Sequence, residues 1–104
     1  MLFHLDFDVS YSSDMSQNDL FKIWSEEADA ALNAKKSGLV VDLWKVIGER
    51  RVIAIVDVEN MELVDQILLD LPIMQKMGQH VSAKVTAIRT YEGFADDVKS
   101  RVNR

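Results

Sequence analysis

LVVDLWKVIGERRVIAIVDV, residues 39–58, reads as two β-strands joined by a tight turn at Gly48, Glu49 and Arg50. β-Branched and aromatic residues fill both arms, and the only glycine of the stretch sits where the chain must reverse. In the second arm Ile53 and Ile55 point to one side while Val52, Ala54, Val56 and Val58 point to the other, because successive side chains of a strand alternate. Both faces of that strand therefore require cover. One layer of helices hides only one face of a sheet, and a chain this short does not supply a second layer. The expectation is a second copy of the chain, a homo-oligomer.

Outward from the hairpin, Leu2 to Val9 alternates cleanly, with Phe3, Leu5, Phe7 and Val9 on one face and Leu2, His4, Asp6 and Asp8 on the other. Ser16-x-x-Asp19 has the form of a capping box and predicts a helix start. Leu20, Phe21, Trp24, Ala28, Ala31 and Leu32 then fall in one arc of a helical wheel, and Gly38 is placed to end the helix. After the hairpin, Asp57 to Asn60 offers a cap for a second helix carrying Met61, Val64, Ile67, Leu68 and Leu71, which Pro72 stops. Ile73 to Gln79 reads as a loop, and His80 to Ile88 as a fourth strand. The order βαββαβ is α+β and ferredoxin-like: a four-stranded antiparallel sheet with two helices on one face, dimerising through its open face. Residues 1–90 form this domain. Residues 91–104 form a tail in which Phe94, Val98 and Val102 recur at helical spacing, expected either to dock on a neighbouring subunit or to fray.

Composition narrows the function. The chain has 104 residues, 48% hydrophobic and 28% charged, which is ordinary for one globular domain. A net charge of -5 argues against nucleic acid, which needs a basic face. There is no cysteine, and the two histidines lie far apart, so neither a thiolate nor a zinc site is expected. No run approaches the length of a membrane span, and MLFHLDFDV lacks the pattern of a signal peptide, so the expected setting is cytoplasmic, away from membranes.

Glu27 stands out among the polar residues. On the wheel it falls between Leu20 and Ala34, roughly 60° from Trp24. Either it lies at the margin of the apolar stripe and reaches water, or it is buried, where a raised pKa would suit a general base near neutral pH. His4 lies on the strand face that helices do not cover. It reads as an interface histidine or, with Asp6 on the same face, as a catalytic group. Lys45, Arg50 and Arg51 form a basic cluster near the turn. They are either solvated charge or, for Lys45 and Arg50, an anchor for a small carboxylate substrate. Trp44 reads as core or interface, or as the wall of a pocket. Met61, Met74 and Met77 read as packing.

The chain resembles the muconolactone Δ-isomerases at matching spacing, from residue 1 to about Ile88. The matching residues are Met1-Leu2-Phe3-His4, Asp14-Met15, Glu27, Gly38, Leu43-Trp44-Lys45, Gly48, Asp57-Val58, Leu71-Pro72 and Met77. The resemblance implies a ferredoxin-like fold, dimers joined through their sheets, larger rings such as a decamer, and no cofactor or metal. It also implies a proton shift in an unsaturated lactone carrying a carboxylate, in the bacterial breakdown of catechol-type aromatics. Glu27 matches the family's acid/base carboxylate, which would remove a proton next to the lactone carbonyl and return it two carbons away. Arg50 and Val52 stand where the family has a tyrosine and an asparagine, and Ile73-Met74-Gln75-Lys76 replaces its aromatic segment. The expected activity is therefore a cofactor-free isomerase of a small lactone or related anionic ring compound. The alternative is a non-catalytic small-molecule-binding or assembly module.

Overall fold

The computed structural model describes residues 1–102 and contains one sheet of four antiparallel strands, in the order β2-β3-β1-β4. The elements follow as β1 (Leu2–Val9), α1 (Gln17–Ser37), β2 (Val40–Lys45), β3 (Arg51–Asp57), α2 (Met61–Asp70), α3 (Pro72–Met77), a single 3₁₀ turn (Gly78–His80), β4 (Val81–Ile88) and α4 (Tyr91–Val102). The last two residues of the expected tail lie outside the described residues.

Local signals place the boundaries. Ser16 caps α1: its side chain accepts from the Asp19 N–H, and the Asp19 carboxylate accepts from the Ser16 N–H in return. Gly38 ends the helix in the left-handed region at φ 88°. Asn60 caps α2 through its side chain. At the hairpin, Gly48 occupies the third position of the Val46–Glu49 turn at φ 81°, a conformation that a Cβ disfavours.

The register sets the faces. Phe3 pairs with Val56 and Leu5 with Ala54, and these four buried side chains meet Val64 and Leu68 of α2 to form the larger part of the core. A second buried cluster joins Val9, Leu20, Ile73 and Met77 at the other end of the molecule. Among the described residues, no element covers the opposite face of the sheet. Ile53, Ile55 and the 49% exposed Trp44 lie there beside His4, and Arg51 makes a two-pronged ion pair with Asp6 across β1 and β3, at 3.1 and 2.7 Å. Those hydrogen bonds hold the Asp6 carboxyl below the usual aspartate range against the opposing effect of desolvation, so the partner of Asp6 is Arg51.

Three expectations are corrected. The segment after Leu71 is not a loop: Pro72 opens α3 at its first position, where a missing N–H costs nothing, and Ile73 and Met77 turn inward one turn apart. His80 ends the 3₁₀ turn, and β4 begins one residue later. Phe21 and Leu32, placed on the apolar arc, are each 54% exposed, because Phe21 borders a groove and Leu32 a cavity where packed core was expected. α4 follows β4 with no buried residue, and Tyr91, Phe94, Val98 and Val102 are all exposed.

Because a Cβ at Gly48 meets no atom within 4 Å, its substitution tests backbone strain alone. Gly48→Ala should lower the unfolding free energy by about 1–2 kcal/mol, measured by urea denaturation, with no change in the slope of the transition.

Candidate active site

Glu27 and Leu20 are two turns apart on the sheet-facing side of α1, and Leu20 is buried at 1% exposure while Glu27 is half-buried. The helix does not bring Glu27 against packed side chains. Between the two core clusters it spans a cavity of about 290 Å³, floored by the sheet and bordered by α2 and α3. Residues from both clusters line it, among them Leu5, Val56 and Leu68 from one and Val9 and Ile73 from the other. Among the described residues, Glu27 and Lys45 contribute its only charged side chains.

α3 holds the carboxylate. Glu27 Oε1 accepts a 3.0 Å hydrogen bond from the Ile73 N–H, one of the free donors of a first helical turn. Beside it, Lys76 pairs with Glu26 on the outer side of α1. Burial pushes the Glu27 carboxyl above the ordinary glutamate value, and the Ile73 N–H partly opposes that rise by favouring the ionised form. A carboxylate so placed has one oxygen held by backbone and borders an apolar cavity, an arrangement that suits a general base.

An outer groove adjoins the cavity and shares Trp24, Lys45 and Val52 with it. Tyr11, Phe21, Gly48, Glu49 and Arg50 are among its other walls, and the Arg50 guanidinium lies 5.0 Å from the centre of the Tyr11 ring. Lys45 is exposed at the junction, its ammonium donating to the Val46 carbonyl at 2.8 Å. Lys45 and Arg50 place positive charge on this groove, and Glu49 one negative charge.

The residues singled out from sequence thus divide. Glu27 and Lys45 share the cavity, and Arg50 stands in the groove outside it. His4, paired in register with Ile55 and Thr86, is on the uncovered face, with the sheet between it and Glu27. Trp44 borders the cavity, yet its pairing with Ile53 directs its ring to the uncovered face as well. Sequence reading missed Tyr11 and the Ile73 N–H. Pro72 followed by inward residues at i and i+4 was the available sign of the helix that supplies that donor.

This fold and site define a ferredoxin-like α+β protein with a single carboxylate seated in an apolar cavity. The chain belongs to the muconolactone delta-isomerase family, whose model matches residues 1–93. It is 29% identical over 83 residues to Muconolactone Delta-isomerase 2 of Acinetobacter lwoffii, a match covering 80% of this chain and 86% of the relative. It is 28% identical over 77 residues to Muconolactone Delta-isomerase of Rhodococcus opacus, covering 74% and 83% respectively. The crystal structure of a muconolactone isomerase superposes with a TM-score of 0.71 at 22% identity, over 86% of this chain and 90% of that one, which establishes the shared fold.

The sign of the Glu27 effect on stability follows from its burial. Because the folded protein binds this proton more tightly than the unfolded chain, the associated stabilisation is complete below the ordinary value of 4.5 and is lost as pH rises through the raised one. Glu27→Gln keeps an oxygen for the Ile73 N–H and removes the charge. It should raise the thermal unfolding midpoint by a few degrees at neutral pH and by less at about pH 4, as read by calorimetry at the two pH values.

Proposed function

We propose that this chain is a cofactor-free isomerase that moves a proton within a small unsaturated lactone or related anionic ring, with Glu27 as its acid/base group. The observation that carries the reading is the Glu27 carboxylate, held by the Ile73 N–H and facing an apolar cavity large enough for such a ring. The names of the curated relatives support the reaction class.

In the proposed reaction Glu27 takes a proton from one end of a three-carbon unit that includes the carbon next to the lactone carbonyl. The electron pair delocalises into a dienolate. The same carboxyl then returns the proton to the other end, so the double bond shifts and nothing is oxidised or reduced. Both transfers are made from one face of the ring, as a single carboxyl demands. Lys45, at the junction of cavity and groove, is placed to draw the negative oxygen or a carboxylate arm toward the groove, where Arg50 offers a second cation. Val52 borders both spaces as an apolar wall, so the polar contacts to the ring come from Glu27 and Lys45. His4 has no part in the transfer. It belongs to the uncovered sheet face, as does the ring of Trp44.

The proposed assembly is a homodimer through that uncovered face, supported by Ile53, Ile55 and Trp44 standing between charged neighbours. α4 would dock its Tyr91, Phe94 and Val98 stripe on a neighbouring copy. A breakdown pathway for aromatic compounds in the cytoplasm is the setting such a reaction fits.

Two measurements test this. Incubation with muconolactone in D₂O, followed by NMR of the ring protons, should show exchange or isomerisation that Glu27→Gln lowers by at least about a thousandfold. The acid limb of the wild-type rate should lie above the ordinary glutamate value, because only the ionised carboxylate accepts the proton. Turnover retained in the variant removes the proposed base, and ligand binding without exchange leaves the chain a binding module. In sedimentation, the wild-type chain should run as a dimer or a multiple of it and Ile55→Lys as a monomer. A wild-type monomer overturns the assembly.

A further inference from the structure

The cavity has a polar end and an apolar end. Glu27 lies three residues beyond Trp24 on α1 and seven before Ala34, so roughly 10 Å of helix at 1.5 Å per residue runs past the carboxylate. Over that length α1 presents Ala28, Ala30, Ala31, Leu32 and Ala34 to the cavity, and the alanines among them leave space that larger side chains would fill. β2 runs the opposite way beneath it, from Val40 under the apolar end to Lys45 at the polar end. Val40, Val56 and Leu68 are buried and close the apolar end. None of these side chains can hydrogen-bond, so a polar group placed there would lose its water without compensation.

The volume leads to the same conclusion. A dry apolar cavity of roughly 150 Å³ is known to accommodate a benzene ring, and this one measures about 290 Å³. A bare lactone seated at Glu27 would leave the alanine-lined end unfilled.

We infer that the substrate of this chain carries an alkyl substituent on its ring, seated between Ala31, Ala34, Val40 and Leu68, while the carbonyl side of the ring is turned toward Lys45. The inference rests on the isomerase reading above and adds the substrate class. Ala31 and Ala34 then set the chain length that fits. Nothing in the chemistry of the shift requires the substituent. Its burial supplies binding energy that a small polar lactone lacks, and the reacting carbons are thereby pinned against Glu27.

The test compares γ-methyl and γ-pentyl β,γ-butenolides, neutral lactones in which the same shift moves a proton from the α to the γ carbon. The wild-type kcat/KM should rise with chain length by about fourfold per buried methylene. Ala31→Leu, and independently Ala34→Leu should the first fail to fold, should collapse the pentyl-to-methyl ratio toward one. In parallel, binding of the saturated γ-pentyl and γ-methyl lactones is followed by the fluorescence of Trp24, which lines the cavity. Its signal is isolated by working in a Trp44→Phe background. Turnover without chain-length preference keeps the isomerase and overturns this inference. Chain-length-dependent binding that Ala31→Leu abolishes, without turnover of either lactone, upholds the alkyl pocket and overturns the isomerase. Equal binding of both lactones overturns the inference whether or not turnover is seen.

Discussion

The core of this protein is divided in two by one carboxylate. Phe3, Leu5, Ala54, Val56, Val64 and Leu68 pack at one end and Val9, Leu20, Ile73 and Met77 at the other, with Leu71 touching both. Glu27 stands between them on the helix that bridges both clusters. An apolar residue there would let the halves merge into one core, as burial of a nonpolar face favours. A carboxylate cannot be sealed in, so the helix is seated at its ends and open along its middle. The Ile73 N–H makes that arrangement tolerable by giving Glu27 a partner within the protein.

α3 follows from this constraint. A six-residue helix adds little by its own propensity. Its work is to carry Ile73 and Met77 into the second cluster while aiming its first-turn N–H at the carboxylate. Pro72 suits both tasks, since it fixes the entry into the helix and takes the one position where its missing donor is harmless. The ion pair of Lys76 with Glu26 fastens the outside of the same contact.

What could be read from sequence was what local chemistry determines. Gly48, the Ser16–Asp19 box and Gly38 mark turns and helix ends through backbone requirements that act within a few residues, and each is found where the sequence placed it. The alternation in Leu2–Val9 likewise revealed the two faces of β1. The wheel singled out Glu27 because it reports direction, but it reports nothing about distance to the neighbouring layer. Phe21 and Leu32 lie on the same arc and remain exposed, and Ala31, also on that arc, borders a cavity. Pairings across the sheet were equally hidden. His4 and Asp6 are close in sequence, yet the Asp6 carboxylate turns to Arg51, 45 residues on, because the β1–β3 register brings that guanidinium beside it. α3 was lost for a different reason: a proline after a helix signals a stop and a new start equally well.

The two borders of the sheet are not alike. Along β2 the pairing with β3 slips at Val41, between Val40 and Asp42, a bulge that bends the strand and interrupts its outer row of backbone groups. Along β4 all eight residues keep an unbroken register with β1, from Leu2 opposite Ile88 to Val9 opposite Val81, and among the described residues no strand lies beyond. Free N–H and C=O groups on that side form a straight ladder half, interrupted by no proline and faced by a single lysine, Lys84. The molecule is thus guarded against edge-to-edge aggregation on its hairpin side alone. Any strand added to this sheet, by self-association or in a misfolded state, has its template along β4.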